Sequence, residues 1–221
     1  MEPEEWPMPD VVSGASAVSY QYDALVSRLK QTRRQGRAPA IAIVSWAEGA
    51  GVSTVTKELT GRMNAGLKSR RTEDVTVAVP AAELIGSHGS IGEFVERIFD
   101  RHGSDLEHVF DPHVASTAYA RGDGEREASL EDCLLTARSL FRMVLVECRP
   151  LKKSADITSV AFMVDAVLIV VEANKTTRAQ TERLVHIIHT AGGSVLGYVL
   201  NKRTFPVPSS IYKLFEKAGL V

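Results

Sequence analysis

Cysteine is nearly missing from this chain of 221 residues: Cys133 and Cys148 are the only two. They are too few for a disulfide framework and too far apart for a metal knuckle, so a reducing, cytoplasmic setting is expected. An excess of one charge sign is missing too. Lysine and arginine number 26 against 27 acidic residues, for a formal charge of -1 and a pI near 6.6. No overall positive field is available to hold DNA or RNA, and no nucleic-acid partner is expected. There is no long apolar run. The longest, "VAFMVDAVLIVVEA", is interrupted by Asp165 and too short to cross a bilayer, so no direct membrane insertion is expected and any membrane link would run through a partner. The start, "MEPEEWPMPDVVSGASAVS", has no charged-then-apolar signal pattern; acidic and proline-bearing, it reads as a flexible tail over residues 1–17.

What remains is a core-forming chain. A hydrophobic fraction of 44% is enough for one globular domain, placed at residues 18–221. Val-, Ile- and Leu-rich runs at 40–45, 75–79, 142–147, 166–172 and 194–201 lack strict alternation, as strands buried on both faces do. Amphipathic segments at 53–68, 91–101, 128–140, 155–163 and 177–191 separate them, with helices at 18–34 leading in and 209–218 closing. This alternation predicts an α/β fold: a mostly parallel sheet with helices on both faces. Residues 100–129, polar and poorly periodic around "ARGDGERE", are expected to form a long surface loop, with the Arg-Gly-Asp triplet in a turn. His186 and His189 lie three apart on a predicted helix, and His102, His108 and His113 fall in the loop; no adjacent Cys or paired carboxylate completes a site, so no metal is expected.

In an open parallel sheet, ligands bind where the strands end. After the first strand comes "WAEGAGVST", in which Gly49, Gly51, Ser53 and Thr54 match a phosphate-binding loop. Such a loop wraps phosphates in backbone amides at a helix N-terminus, neutralises them with a lysine and places a hydroxyl on magnesium. Val52 stands where the lysine belongs. The same residues also suit a plain strand-to-helix turn with Ser53 or Thr54 capping the helix.

The leading helix, the turn before "STVTKELTGRM", the later "FRMVLVECRPLKKSADI" and the stretch "VDAVLIVVEANKTTRAQTERLVHIIHTAGGSVLGYVLNKR" together resemble the bacterial tyrosine kinases of capsular and exopolysaccharide systems. Those are P-loop NTPase-like proteins related to the MinD and ParA ATPases, and the resemblance runs from about residue 20 to near the C-terminus. It implies that the family's lysine falls on Val52, that its paired aspartates after the second strand fall on Pro80 and Ala82, and that its aspartate ending the third strand falls on Glu147, before "CRP". Glu83 is one position out of place. Asn201 matches the family's base-contacting residue, or is a turn residue at a strand end. The family's C-terminal tyrosine cluster is lacking: after Asn201 only Tyr212 occurs, beside Ile211, Leu214, Phe215 and Ala218 on what reads as a packing face. Of the family's ring-forming Glu-x-x-Arg-x-x-Arg signature, the leading helix offers Tyr22, Leu25 and Arg28, keeping the final arginine and leaving self-association through a more apolar face open.

The loss of lysine and carboxylates bears hardest on catalysis, because phosphoryl transfer depends on positioned positive charge and magnesium. The expectation is a catalytically inactive pseudokinase whose vestigial nucleotide site is Gly49, Gly51, Val52, Ser53, Thr54, Glu147 and Asn201. No catalytic residue and no cofactor is expected, the family's ATP and magnesium being put in question. Its place would be as a cytoplasmic accessory protein of exopolysaccharide synthesis and export, peripheral to the inner membrane, with the cytoplasmic segment of a Wzz-like polysaccharide co-polymerase as partner. Two alternatives stand beside it: an active or partner-completed ATPase or tyrosine kinase of the same pathway, and a MinD- or ParA-like positioning protein.

Overall fold

The computed structural model describes residues 22, 24–27, 29, 38–65, 72–86, 89–102 and 128–203. The chain forms two compact units, Thr32–Arg203 and a second made of Met1–Gln31 with Thr204–Val221. In the second unit, residues 22, 24–27 and 29 are helical. The tail over 1–17, Arg28, the Arg-Gly-Asp triplet, His108, His113 and the segment around Tyr212 lie outside the described residues.

The larger unit is built on a five-stranded sheet ordered β2-β3-β1-β4-β5. Its strands are β1 (Ala40–Ser45), β2 (Thr76–Pro80), β3 (Met143–Glu147), β4 (Ala166–Glu172) and β5 (Val195–Asn201). Every pairing is parallel, which is the α/β class read from the alternation of runs. β1 is central, with Ala42 in register with Val146 on one side and Val167 on the other. All six of its residues are buried, so nothing but small and β-branched apolar side chains fits there, with Ser45 at its end. β5 departs from the expectation of burial on both faces: Tyr198 and Leu200 are exposed. Among the described residues it is an edge strand, and its pairing with β4 has a register shift between Val167 and Leu168.

The helices follow their caps. α1 (Val52–Asn64) buries Val55, Leu59 and Met63 at helical spacing and packs on β1, β2 and β3. β2 ends at Pro80, which has no N–H to leave unpaired and which caps a short helix, α2 (Ala81–Ile85), that periodicity did not reveal. α3 (Ile91–Arg101) starts at Ser90, whose hydroxyl accepts from the Glu93 amide at 3.3 Å. α4 (Leu130–Leu140) and α6 (Arg178–Thr190) carry capping boxes, Ser129 with Asp132 and Thr177 with Gln180; α5 (Asp156–Val160) lies between β3 and β4. Residue His102 belongs to this framework: it closes α3, and its Nε2 lies 3.1 Å from the amide of Ala78 and 3.0 Å from its carbonyl, on edge strand β2.

The core joins Phe94, Ile98 and Phe99 of α3 to Phe141, whose ring centroid is 6.0 Å from that of Phe99. Asp165, which breaks the longest apolar run, has a structural reason. Its carboxylate accepts from the amide of Ala40 at 2.8 Å and from Arg138 Nη2 at 2.8 Å, tying the starts of β1 and β4 to α4. Arg138 is 7% exposed, so this charge depends on its partner. No helix among the described residues is long and apolar enough to cross a membrane.

Candidate functional site

The carboxyl ends of the strands meet around a cleft of about 500 Å³. Its floor is the turn from β1 to α1. Gly49 (φ 78°) and Gly51 (φ 90°) both occupy the left-handed region, which glycine enters without steric cost. A side chain at Gly51 would also begin 2.3 Å from Asn201 Nδ2. Gly51 is the N-cap of α1, and no side chain caps that end, so the expectation that Ser53 or Thr54 does so is corrected. With helical geometry already begun at Val52, the Ser53 hydroxyl points across the cleft and donates to Glu147 Oε1 at the end of β3. Among the described residues, the backbone N–H groups of 51–54 precede the first helical hydrogen bond, from Val55 to Gly51, and meet no backbone acceptor. They form a row of open donors at the positive end of a thirteen-residue helix.

The walls come from the other strand ends. Pro80 and Ala82 line the cleft, as do Cys148, Arg149 and Pro150. Val52 lines it as well while remaining 8% exposed, an apolar group at the start of the helix. Glu83 is turned elsewhere, paired with Arg101. The carboxylates on the lining are Glu48 and Glu147; Glu48 pairs with Lys153, and Glu147 holds Ser53. Burial raises the Cys148 thiol above its ordinary pKa, with Asp156 and Glu147 adding to the effect, so this cysteine is an inert wall group.

Arg149 and Asp156 brace the wall after β3. Arg149 donates through Nε at 2.9 Å and Nη2 at 2.8 Å to the two carboxylate oxygens of Asp156, and Ser154 adds its hydroxyl. The side-chain hydrogen bond from Arg149 is the main cause holding the Asp156 carboxyl below its usual range. Alongside, the amides of Leu151 and Lys152 donate to the carbonyls of Ser45 and Trp46 at 3.0 and 3.1 Å, so the connector runs against the loop.

Asn201 reaches the loop from the end of β5: its Nδ2 donates to the Ala50 carbonyl at 2.8 Å, while its Oδ1 accepts from the Lys202 amide at 2.9 Å. Lys202 was not singled out from the sequence. It lines the cleft, its ammonium donates to the Gly49 carbonyl, and Glu172 Oε1 at the end of β4 is 3.5 Å away. Lys175, at 2.8 Å, and Lys202 hold the Glu172 carboxyl below its ordinary pKa. The rule that ligands bind where strands end points to Glu172 and Lys202 as well as to Asn201. Gly49, Gly51, Val52, Ser53, Thr54 and Glu147 are thus gathered around one cleft, and Asn201 is bound to its loop.

A parallel sheet in the order 2-3-1-4-5, with a glycine turn from its central strand into a helix, defines the P-loop class of α/β protein. No protein-family model matches the sequence, and no curated protein matches it. Solved structures do. The kinase domain of Escherichia coli tyrosine kinase ETK superposes with a TM-score of 0.57 at 15% identity, covering 85% of this chain and 77% of that one. The chimerical protein CapA2B2 gives 0.54 at 18% identity, with 86% and 87% covered. The kinase domain of VpsO gives 0.51 at 15%, with 86% and 100% covered. At this identity the likeness establishes the fold: the chain has the architecture of these kinase domains.

Proposed function

We propose that the chain is a noncatalytic relative of the bacterial tyrosine kinases, a cytoplasmic accessory or regulatory protein of exopolysaccharide or capsule synthesis and export. It docks on the cytoplasmic segment of an inner-membrane polysaccharide co-polymerase. One observation carries the noncatalytic part. The cleft keeps the glycine loop and its open amides, but Val52, Pro80 and Ala82 stand at the three positions where lysine and paired aspartates would surround a moving phosphate. The residues therefore do not fit the metal-assisted transfer of a phosphoryl group: charge must be placed around that group, and an isopropyl, a pyrrolidine ring and a methyl place none. The pathway is supported by the resemblance in the C-terminal half and by the kinase-domain architecture.

A second reading, an ATPase or kinase completed by its partner, has specific support in the Ser53–Glu147 pair, a hydroxyl and a carboxylate of the kind that ligates magnesium. Incubating the purified chain with magnesium and labelled ATP, with and without the co-polymerase segment, separates the two. The favoured reading expects the segment to co-purify with the chain and no phosphate to be transferred. Transfer that appears on adding the segment and disappears in Glu147→Gln supports the second; failure of the segment to bind removes the docking claim.

A further inference from the structure

A glycine loop that cradles a ligand is commonly put in order by that ligand, since its left-handed residues have much conformational freedom to lose. Here the protein supplies the contacts itself. Two consecutive loop carbonyls, those of Gly49 and Ala50, are each met by one of two consecutive side chains leaving β5, Lys202 and Asn201. Lys202 reaches back because its backbone turns into the left-handed region, φ 58°, at a non-glycine position. Asn201 in turn is fixed on both sides, its Oδ1 to the Lys202 amide and its carbonyl to the Ala173 amide at 2.9 Å. Glu172, 5% exposed at the end of β4, faces the ammonium of Lys202 and completes the attachment to the sheet.

We infer that Asn201 and Lys202 form an internal latch, anchored on Glu172, that keeps the β1–α1 loop in its cradling shape without a nucleotide. The latch grips the carbonyl side of the loop and leaves the amides of 51–54 open. Loop order is thereby independent of any ligand, and the surface made by the loop and the end of β5 is presented at all times. Lys202 is a positioning residue, acting through Gly49. The inference does not depend on the pathway proposed above and holds for an active or an inactive chain.

Hydrogen exchange of the full chain without nucleotide, read by mass spectrometry on a peptide covering residues 49–56, tests it. The reporter is the Val55 amide, which donates to the Gly51 carbonyl at 2.9 Å. Because Lys202 is half exposed, the loss of its charged hydrogen bond in Lys202→Met is expected to speed exchange there about threefold to tenfold, with β3 and α6 unchanged. Lys202→Arg, which keeps a long cationic arm, is expected to recover most of the protection. Unchanged exchange in Lys202→Met would overturn the latch, and so would acceleration spread evenly over the sheet, which would make Lys202 a general stabiliser.

Discussion

Restoring a lysine at position 52 separates the two losses in the cleft. Val52 is the first residue of α1, lines the cleft, and stands among the open amides of 51–54. An ammonium placed there adds charge-assisted hydrogen bonds to a bound phosphate, each contributing about 1.5–3 kcal/mol. A single such bond tightens magnesium-ATP binding about 10-fold to 150-fold. Folding is expected to suffer slightly, because a cation at a helix N-terminus costs about 0.3–1 kcal/mol and the burial of the valine side chain is lost. Titration calorimetry of wild type and Val52→Lys against magnesium-ATP reads the affinity, and a phosphate-release assay on the same samples reads turnover. Tighter binding with no turnover is the expected pair, since Pro80 and Ala82 still place no carboxylate on the cleft. Unchanged affinity would show that the loop is not in a phosphate-cradling shape. Turnover in the single variant would refute the argument that the missing carboxylates prevent catalysis.

Other outcomes follow from the same contacts. Gly51→Ala is expected to destabilise the unit by about 1–3 kcal/mol in urea denaturation, through strain at φ 90° together with the clash against Asn201, whereas Gly61→Ala, which has open space around it, is expected to be neutral or stabilising. Asp165→Ala leaves the buried Arg138 without its carboxylate and is expected to cost about 3–5 kcal/mol, with Arg138→Met/Asp165→Ala recovering part of the loss. The Asp156 carboxyl titrates lower in the folded chain than its ordinary value of 3.8. The unfolded chain therefore takes up the proton first as pH falls, so the contribution of this group is complete above that value and is lost as pH drops through the folded value. Urea midpoints measured from about pH 5 down to about pH 2.5 should fall more steeply for wild type than for Asp156→Asn.

The parts of the fold legible in the sequence are those whose signal is local. The β1 run, the paired glycines and the amphipathic segment after them place the strand, the turn and the start of the helix within one residue, because each follows from backbone preference or burial period; the helix end, expected at 68, falls at Asn64. Asn201 is legible through its match to the family's base-contacting residue. Lys202 beside it is not, because its role depends on a left-handed turn that brings its ammonium to Gly49, 153 positions away in the chain. The position of Ser53 suits a phosphate-binding loop or, as for Thr54, a helix cap; the structure gives its hydroxyl to Glu147, 94 residues on, a choice that only the juxtaposition of β1 and β3 makes available. Arg138 with Asp165, 27 residues apart, and Arg149 with Asp156, seven apart in an irregular connector, were illegible because such charge pairs leave no periodicity. α2 was hidden because five residues after a proline are too few to show a helical period.

The central claim is that the loop kept its shape while the chemistry around it was lost. Magnesium-dependent hydrolysis of ATP and phosphate transfer by the purified full chain, measured alone and with Glu147→Gln as control, tests it most directly. The account predicts no rate above that of the variant at millimolar nucleotide. A magnesium-dependent rate in the wild type that Glu147→Gln abolishes would contradict it and make this cleft an active site.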